Sequence, residues 1–274
     1  MRIRKITAAL LAIVLSLPAY STLTAGAALG DLNSDGKANA SDAAALLIEA
    51  ARMGSTGRSS FTAAQRTAAD IDSDGTVNAS DAANILIYAA SAGSGVFRGT
   101  MQNYADQCIA PKKQLATLGK IIYWEYHDYD GNHTCEAFAV VSLGGRDEYY
   151  SVYFVADSGT TVCVDAAYPS TYHDYASIDY ARFDAYQNKG FFSYDKTFGG
   201  SGYTTFLYSV RNGVPYELDI SGELQGFYLK NGYFCTTQND FSKGYHQYPE
   251  YRLNYNSQTQ QFTLGSKLSD NSAL

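Results

Sequence analysis

Hydrophobic positions divide this chain into stretches of different period. Near the start, Ile6 to Leu17 is apolar except for Thr7 and Ser16. Further on, Leu46, Leu47 and Ala50 share one face at helical spacing, as do Ile85, Leu86 and Ala89, which predicts two short amphipathic helices. Between them, Thr62 with Gln65 three residues later forms a capping-box signature, so a further helix is predicted over 62–69. Beyond residue 100 the period drops to two. Aromatic and β-branched residues alternate over 120–127, 134–141, 149–155, 160–165, 203–210, 233–237 and 261–264, which are strand signatures. Turn pairs punctuate them at Asp130-Gly131, Gly144-Gly145, Ser158-Gly159, Asn188-Lys-Gly190, Asn212-Gly213 and Asn231-Gly232. One helix is predicted there, opened by Pro111 and closed by Gly119. The pattern therefore predicts a small all-α module followed by a mainly antiparallel all-β or α+β module, a sandwich or open barrel with one or two peripheral helices.

Each amphipathic helix comes after a polar loop, and the two loops are copies. Asp31-Leu-Asn-Ser-Asp-Gly-Lys-Ala-Asn-Ala-Ser-Asp42 and Asp70-Ile-Asp-Ser-Asp-Gly-Thr-Val-Asn-Ala-Ser-Asp81 agree at eight of twelve positions. Calcium takes six to eight oxygens, and a twelve-residue loop wraps it with positions 1, 3, 5, 7, 9 and 12. Those positions fall on Asp31, Asn33, Asp35, Lys37, Asn39 and Asp42 in the first copy and on Asp70, Asp72, Asp74, Thr76, Asn78 and Asp81 in the second. Lys37 and Thr76 would offer carbonyls. Gly36 and Gly75 occupy position 6, where the chain turns sharply. Asp replaces the usual Glu at position 12 and shortens that arm. The competing reading of a single such loop is an Asp/Asn/Gly-rich surface turn, but duplication that continues into the helices argues for two metal sites.

Two loop-helix units joined by an intervening helix, over 30–92, resemble a type I dockerin, the calcium module that plugs secreted proteins into cohesin domains of a cellulosome scaffoldin. The resemblance implies two bound Ca²⁺ ions and a cohesin partner. It also places cohesin contacts at Ala40, Ser41, Leu47, Ile48 and Arg52 in one half and at Ala79, Ser80, Leu86, Ile87 and Ser91 in the other. Many dockerins carry Ser-Thr where this chain has Ala40-Ser41 and Ala79-Ser80. Leu47 and Leu86 could as readily pack the small core. Because the two Ala-Ser pairs are identical, the expectation is that either half could engage cohesin and that changing Ser41 alone would do little. Dockerins usually accompany plant-polysaccharide hydrolases, so a polysaccharide is an implied ligand of the remainder.

Charge and composition narrow the rest. Three positive charges in 1–5, the apolar run and Ala25-Gly-Ala27 read as a secretory signal peptide over 1–27, and no later run is long enough to span a bilayer. A secreted, extracellular protein held at a cell surface through a scaffoldin is expected. The net charge of −7 and the absence of a basic stripe argue against nucleic acid as a partner. Gly and Ser enrichment suggests a flexible linker over 93–105, leaving 106–274 as the β-rich module. Its four cysteines, Cys108, Cys135, Cys163 and Cys235, are consistent with free thiols or with disulfides.

The β-rich module offers fewer chemical signals. Asp128, Asp130, Asn132 and Glu136 are spaced as in calcium turns between strands, and a plain hairpin turn is the competing reading. A third calcium is thus a candidate. Glu125, Glu136, Glu148, Glu217 and Glu223 could supply a glycosidase pair, but no motif selects two of them. Neither a Gly-x-Ser-x-Gly elbow nor a His-Glu-x-x-His helix is present. Of 24 tyrosines, 22 lie beyond residue 100, and Tyr168, Tyr172 and Tyr175 are the best candidates for a sugar-stacking patch. An accessory binding module, a hydrolase with an unrecognised carboxylate site and an inhibitor-like interaction module remain open.

Overall fold

The computed structural model of the protein describes residues 28–144, 149–166, 177–198 and 202–270. The expected signal peptide, Glu148 and the Tyr168, Tyr172 and Tyr175 cluster lie outside the described residues. Helices begin where the polar loops end. α1 (Ala40–Thr56) is capped by Asn39, α2 (Ala63–Ala69) by Thr62 with Gln65, and α3 (Ala79–Gly93) by Asn78. The first and third helices use Asp42 and Asp81, at their third positions, to complete their capping boxes, so the last loop residue also helps cap each helix. Leu46 and Ile85 are fully buried where α1 meets α3, alongside Leu32, Ala43, Ile71 and Ala82.

The segment expected to be a flexible linker is not one. Phe97 and Met101, each 3% exposed, enter the same core as Leu46 and Ile85, and Tyr104 and Cys108 enter after them. Tyr88 of α3 packs on Phe97 and Tyr104, whose rings lie 5.3 Å apart, and Tyr126 closes the cluster from the strand side. Each aromatic pair adds about 0.5–1.5 kcal/mol beyond burial, which is enough to hold a Gly-rich segment in place.

The helix expected to open at Pro111 also differs. Helical backbone runs without a break from Met101 to Ala116, as α4 (Met101–Tyr104), a π turn (Ala105–Ile109) and α5 (Ala110–Ala116). Proline lacks an N–H and crowds the preceding turn, and the π turn just before Pro111 widens the helix there, with Ala110 N–H reaching Ala105 O. Gly119 does not close the helix. A Cβ there would lie 2.1 Å from the Ser142 carbonyl oxygen, so glycine permits a close backbone approach.

Among the described residues beyond α5, three four-stranded antiparallel sheets follow. The first runs in sequence order through β1 (Lys120–His127), β2 (Glu136–Gly144), β3 (Tyr149–Val155) and β4 (Thr161–Asp165). The second does the same with β5 (Ser177–Tyr186), β6 (Lys189–Phe198), β7 (Gly202–Arg211) and β8 (Val214–Glu217). The third comprises β9 (Gln225–Lys230), β10 (Tyr233–Thr237), β11 (Glu250–Asn256) and β12 (Gln261–Ser269).

Two-sided burial stacks these sheets into layers. On one face of β2, Ala137, Ala139 and Val141 pack beneath Leu115 of α5, while Phe138 and Val140 face the second sheet. Phe138 stacks on Phe192 at 4.7 Å and 8°. β6 repeats the device, sending Phe192 and Tyr194 toward the first sheet and Phe191 toward Phe227, Phe234 and Phe262 of the third. The four cysteines are free thiols, with Cys163 exposed and the others buried.

Candidate functional site

In both polar loops the side chains fold inward onto backbone N–H groups. Asp31 accepts from Asp35 N and Gly36 N at 3.1 and 2.9 Å, and Asp70 accepts from Asp74 N and Gly75 N at 3.0 and 3.1 Å. Asn33 and Asp72 at position 3 accept from the N–H of position 5, whose own carboxylates accept from position 7. Position 12 reaches back across the loop. Asp42 Oδ1 takes Leu32 N at 2.9 Å and Oδ2 takes Asn39 N at 3.0 Å, and Asp81 repeats both contacts with Ile71 N and Asn78 N. Glycine is required at position 6, where φ is +86° at Gly36 and +84° at Gly75. Ser34 and Ser73 at position 4 are left-handed as well, which the sequence did not flag.

This arrangement concentrates uncompensated negative charge. Carboxylate oxygens of Asp70, Asp72 and Asp74 lie within 4.8 Å of one another, and Asp42 and Asp81 are fully buried with no basic side chain on them among the described residues. Burial pushes the Asp81 carboxyl up from its ordinary range, against the pull of three backbone N–H groups. An oxygen-only donor set around such charge fits a hard divalent cation, with Lys37 and Thr76 carbonyls, Asn33 and the remaining acids as further donors.

The expected contact positions are on the surface. Leu47 and Leu86 are each 44% exposed, Ile48 is 70% exposed and Ile87 52%, so the core is left to Leu46 and Ile85. Ala40, Ser41, Ala79 and Ser80 are exposed too, and Arg52 stands open beside Glu49. Surroundings distinguish the halves. Ser80, Ile87 and Ser91 line a cavity of about 580 Å³ whose far wall is Lys112, Lys113 and Trp124, and Lys113 Nζ donates to the Asp72 carbonyl at 2.9 Å. None of Ala40, Ser41, Leu47, Ile48 or Arg52 lines that cavity.

Sequence reading overlooked how each helix end is fastened. Glu49 is buried in α1 and gathers Ser59 Oγ, Ser60 Oγ and Ser60 N, which tie down the turn leading to α2. Those hydroxyl and backbone donors hold its carboxyl down at about 2. The matching residue in the other copy is Tyr88, whose hydroxyl donates to Gly99 O at 3.0 Å and so secures the segment after α3. A Glu on the helix with Ser-Ser ten residues later was the available signal.

In the β-rich module, Asp128, Asp130 and Glu136 come together, each with a carboxylate oxygen within 4.8 Å of the others, and Asn132 lies in the same turn. Glu136 is buried, and burial, aided by the charges of Asp130 and Asp128, pushes its carboxyl up to about 8 against one backbone N–H. The other glutamates do not join it in an acidic cluster among the described residues. Glu217 accepts from Ser221 Oγ, Glu223 is exposed, and Glu125 is half-buried in β1.

Compared with known proteins, residues 29–88 match the family model of the dockerin type I domain. The match takes in both loops and both flanking helices as far as Tyr88 and covers under a quarter of the chain. No curated protein matches this chain. Among the described residues, no helix is long and apolar enough to cross a membrane.

Proposed function

We propose that residues 30–92 form a calcium-loaded dockerin that docks the protein into a cohesin domain of a scaffoldin, with 106–274 as the carried β-rich module. The observation that carries this reading is the pairing of each acidic loop with an exposed Ala-Ser and Leu-Ile surface, whose large aliphatic side chains stand uncovered among the described residues. Asp31, Asn33, Asp35, Lys37, Asn39 and Asp42 hold one Ca²⁺, and Asp70, Asp72, Asp74, Thr76, Asn78 and Asp81 hold the other. Calcium supplies the cross-link that keeps the loop carboxylates together. The side chains themselves order the backbone and set the entry angle of each helix.

Cohesin engages the first half, through Ala40, Ser41, Leu47, Ile48 and Arg52, because the second half faces Lys112, Lys113 and Trp124 across a cavity. The equivalence expected from the identical Ala-Ser pairs does not extend to their neighbours. Titration calorimetry of the full chain against a type I cohesin is the test. Tight binding in calcium and none in chelator supports docking, and calcium-independent or absent binding rejects it.

For the carried module we favour an accessory role in a secreted, scaffold-attached complex, with plant polysaccharide as the ligand class. Its support is the association of dockerins with such enzymes, together with exposed Tyr180 and Tyr245 as stacking rings. Retention on insoluble plant cell wall, in the absence of cohesin, is the expected outcome. Release of reducing sugar would move the assignment to a hydrolase.

A further inference from the structure

A third loop in the molecule repeats the hydrogen bonding of the first two. Counting Asp128 as position 1, Asn132 N and His133 N donate to its two carboxylate oxygens at 3.1 and 2.9 Å, as positions 5 and 6 do in the paired loops. Asn132 N also donates to Asp130 at 3.2 Å, and Thr134 N donates to Asn132 Oδ1 at 2.7 Å, again the contacts of positions 5 and 7. Gly131 and His133 have φ of +78° and +72°, matching the left-handed positions 4 and 6. The final carboxylate differs. Glu136 at position 9, one methylene longer than Asp, takes the position-2 N–H of Tyr129 at 3.1 Å, the bond Asp42 makes to Leu32.

Loop shape alone would also suit a metal-free turn. The independent observation is Glu136 Oε1, which is buried without a hydrogen-bond partner on a side chain with no solvent exposure. An unpartnered buried carboxylate oxygen is costly unless a cation or donor meets it. A carboxylate oxygen of Glu136 lies within 4.8 Å of oxygens from both Asp128 and Asp130. No Lys or Arg forms an ion pair with these three acids among the described residues. His133 Nδ1 stands 3.9 Å from Asp128, and Lys189 Nζ contacts the Asp130 backbone carbonyl, not its carboxylate.

We propose that Asp128, Asp130, Asn132 and Glu136 bind a third hard divalent cation, of the calcium class, inside the β-rich module. All four donors are oxygens, which selects calcium over soft transition metals. The site joins two sheets. It connects β1 to β2, while Asp130 Oδ2 accepts Gly213 N from the β7–β8 turn at 2.9 Å and Tyr129 O accepts Gly190 N from β6 at 2.8 Å. A cation there braces the first sheet against the second, independently of cohesin docking.

Calcium counting on the full chain tests this. The chelated protein, titrated with Ca²⁺ alone, takes up three ions, and the Asp31→Ala/Asp70→Ala double variant still takes up one. Glu136→Gln reduces the count from three to two while the calcium-induced gain of helix persists. Asn132→Asp, at an exposed position, adds a carboxylate and tightens one site by about tenfold; it decides the matter if Glu136→Gln does not fold. Two ions in the wild-type chain, no residual ion in the double variant, or an affinity unmoved by Asn132→Asp would overturn the site. Because docking is read separately by cohesin binding, either idea can fail alone.

Discussion

The two loop-helix halves share a sequence pattern and a core layer yet are held in different ways. Leu32, Ala43 and Leu46 of the first have counterparts in Ile71, Ala82 and Ile85 of the second, all buried. The segments beyond the two helices diverge. α1 ends in a turn fastened by one carboxylate, Glu49, whereas α3 leads into Phe97, Met101 and Tyr104, which merge its core with β1 and the helix beyond. Duplication therefore supplied two acidic loops of one pattern, but the segment after α3 joins the second half to β1 and the helix beyond it, while α1 ends in a short turn.

Calcium removal is the largest test of that contrast. On the proposed reading the metal cross-links each loop's carboxylates, so its removal should loosen both loop-helix halves. The first half shares that core through Leu46 but has only the Glu49 turn beyond α1, so its amides in α1 should lose more protection than those of α3 in chelator. Those of α3 should keep part of their protection through the Tyr88, Phe97, Tyr104 and Tyr126 cluster. Hydrogen exchange by mass spectrometry reads this directly, and equal loss in both helices would remove the asymmetry. The loops should also differ in affinity. Four carboxylates serve the second loop and three the first, where Asn33 stands in the place of Asp72, so loop two should bind about tenfold more tightly in a resolved titration.

Docking should obey the same division. Placing a charge on the open face with Leu47→Asp should weaken cohesin binding by about 30-fold or more, as loss of a central aliphatic contact does. The equivalent Leu86→Asp should change it less than about threefold, since that half is joined to α5 and its flanks. Equal losses would restore the two-faced reading drawn from the matching Ala-Ser pairs. Clearing the cavity wall with Lys112→Ala/Lys113→Ala should raise the sensitivity to Leu86→Asp.

Much of this layout was legible because local chemistry dictated it. Oxygen-bearing side chains at fixed spacing, a Thr62–Gln65 box and alternating apolar residues over Lys120–His127 and Tyr149–Val155 each determine a local structure with little outside help. Where tertiary packing decided, the pattern was silent. β5 escaped notice because a bulge between Asp179 and Arg182, with Tyr180 at φ +54°, breaks its period of two. β6 is covered on both faces, so Phe191 and Phe192 stand consecutively instead of alternating. Composition misled at residues 93–105, where Phe97 and Met101 outweigh the glycines around them. In the third loop the spacing was visible, but the unpartnered oxygen of Glu136 emerges only once the strands bury it.

The smallest effects lie at the two fastenings, and they differ in kind. Glu49 has its carboxyl held near 2, below the ordinary 4.5, by Ser59 and Ser60. A depressed carboxyl contributes stability that is complete above the unfolded value and is lost as pH falls through the folded one. Wild-type protein with calcium should therefore lose thermal stability between pH 4.5 and 2 more steeply than Glu49→Gln, which cannot titrate there. Tyr88→Phe deletes only a neutral hydroxyl bond to Gly99, worth about 1 kcal/mol, and should lower stability equally at every pH in that window. Against wild type, melting temperatures across the acid range should then converge for Glu49→Gln and run parallel for Tyr88→Phe. Parallel curves for both would mean that the turn after α1 does not depend on the Glu49 charge, and the two halves would be fastened alike.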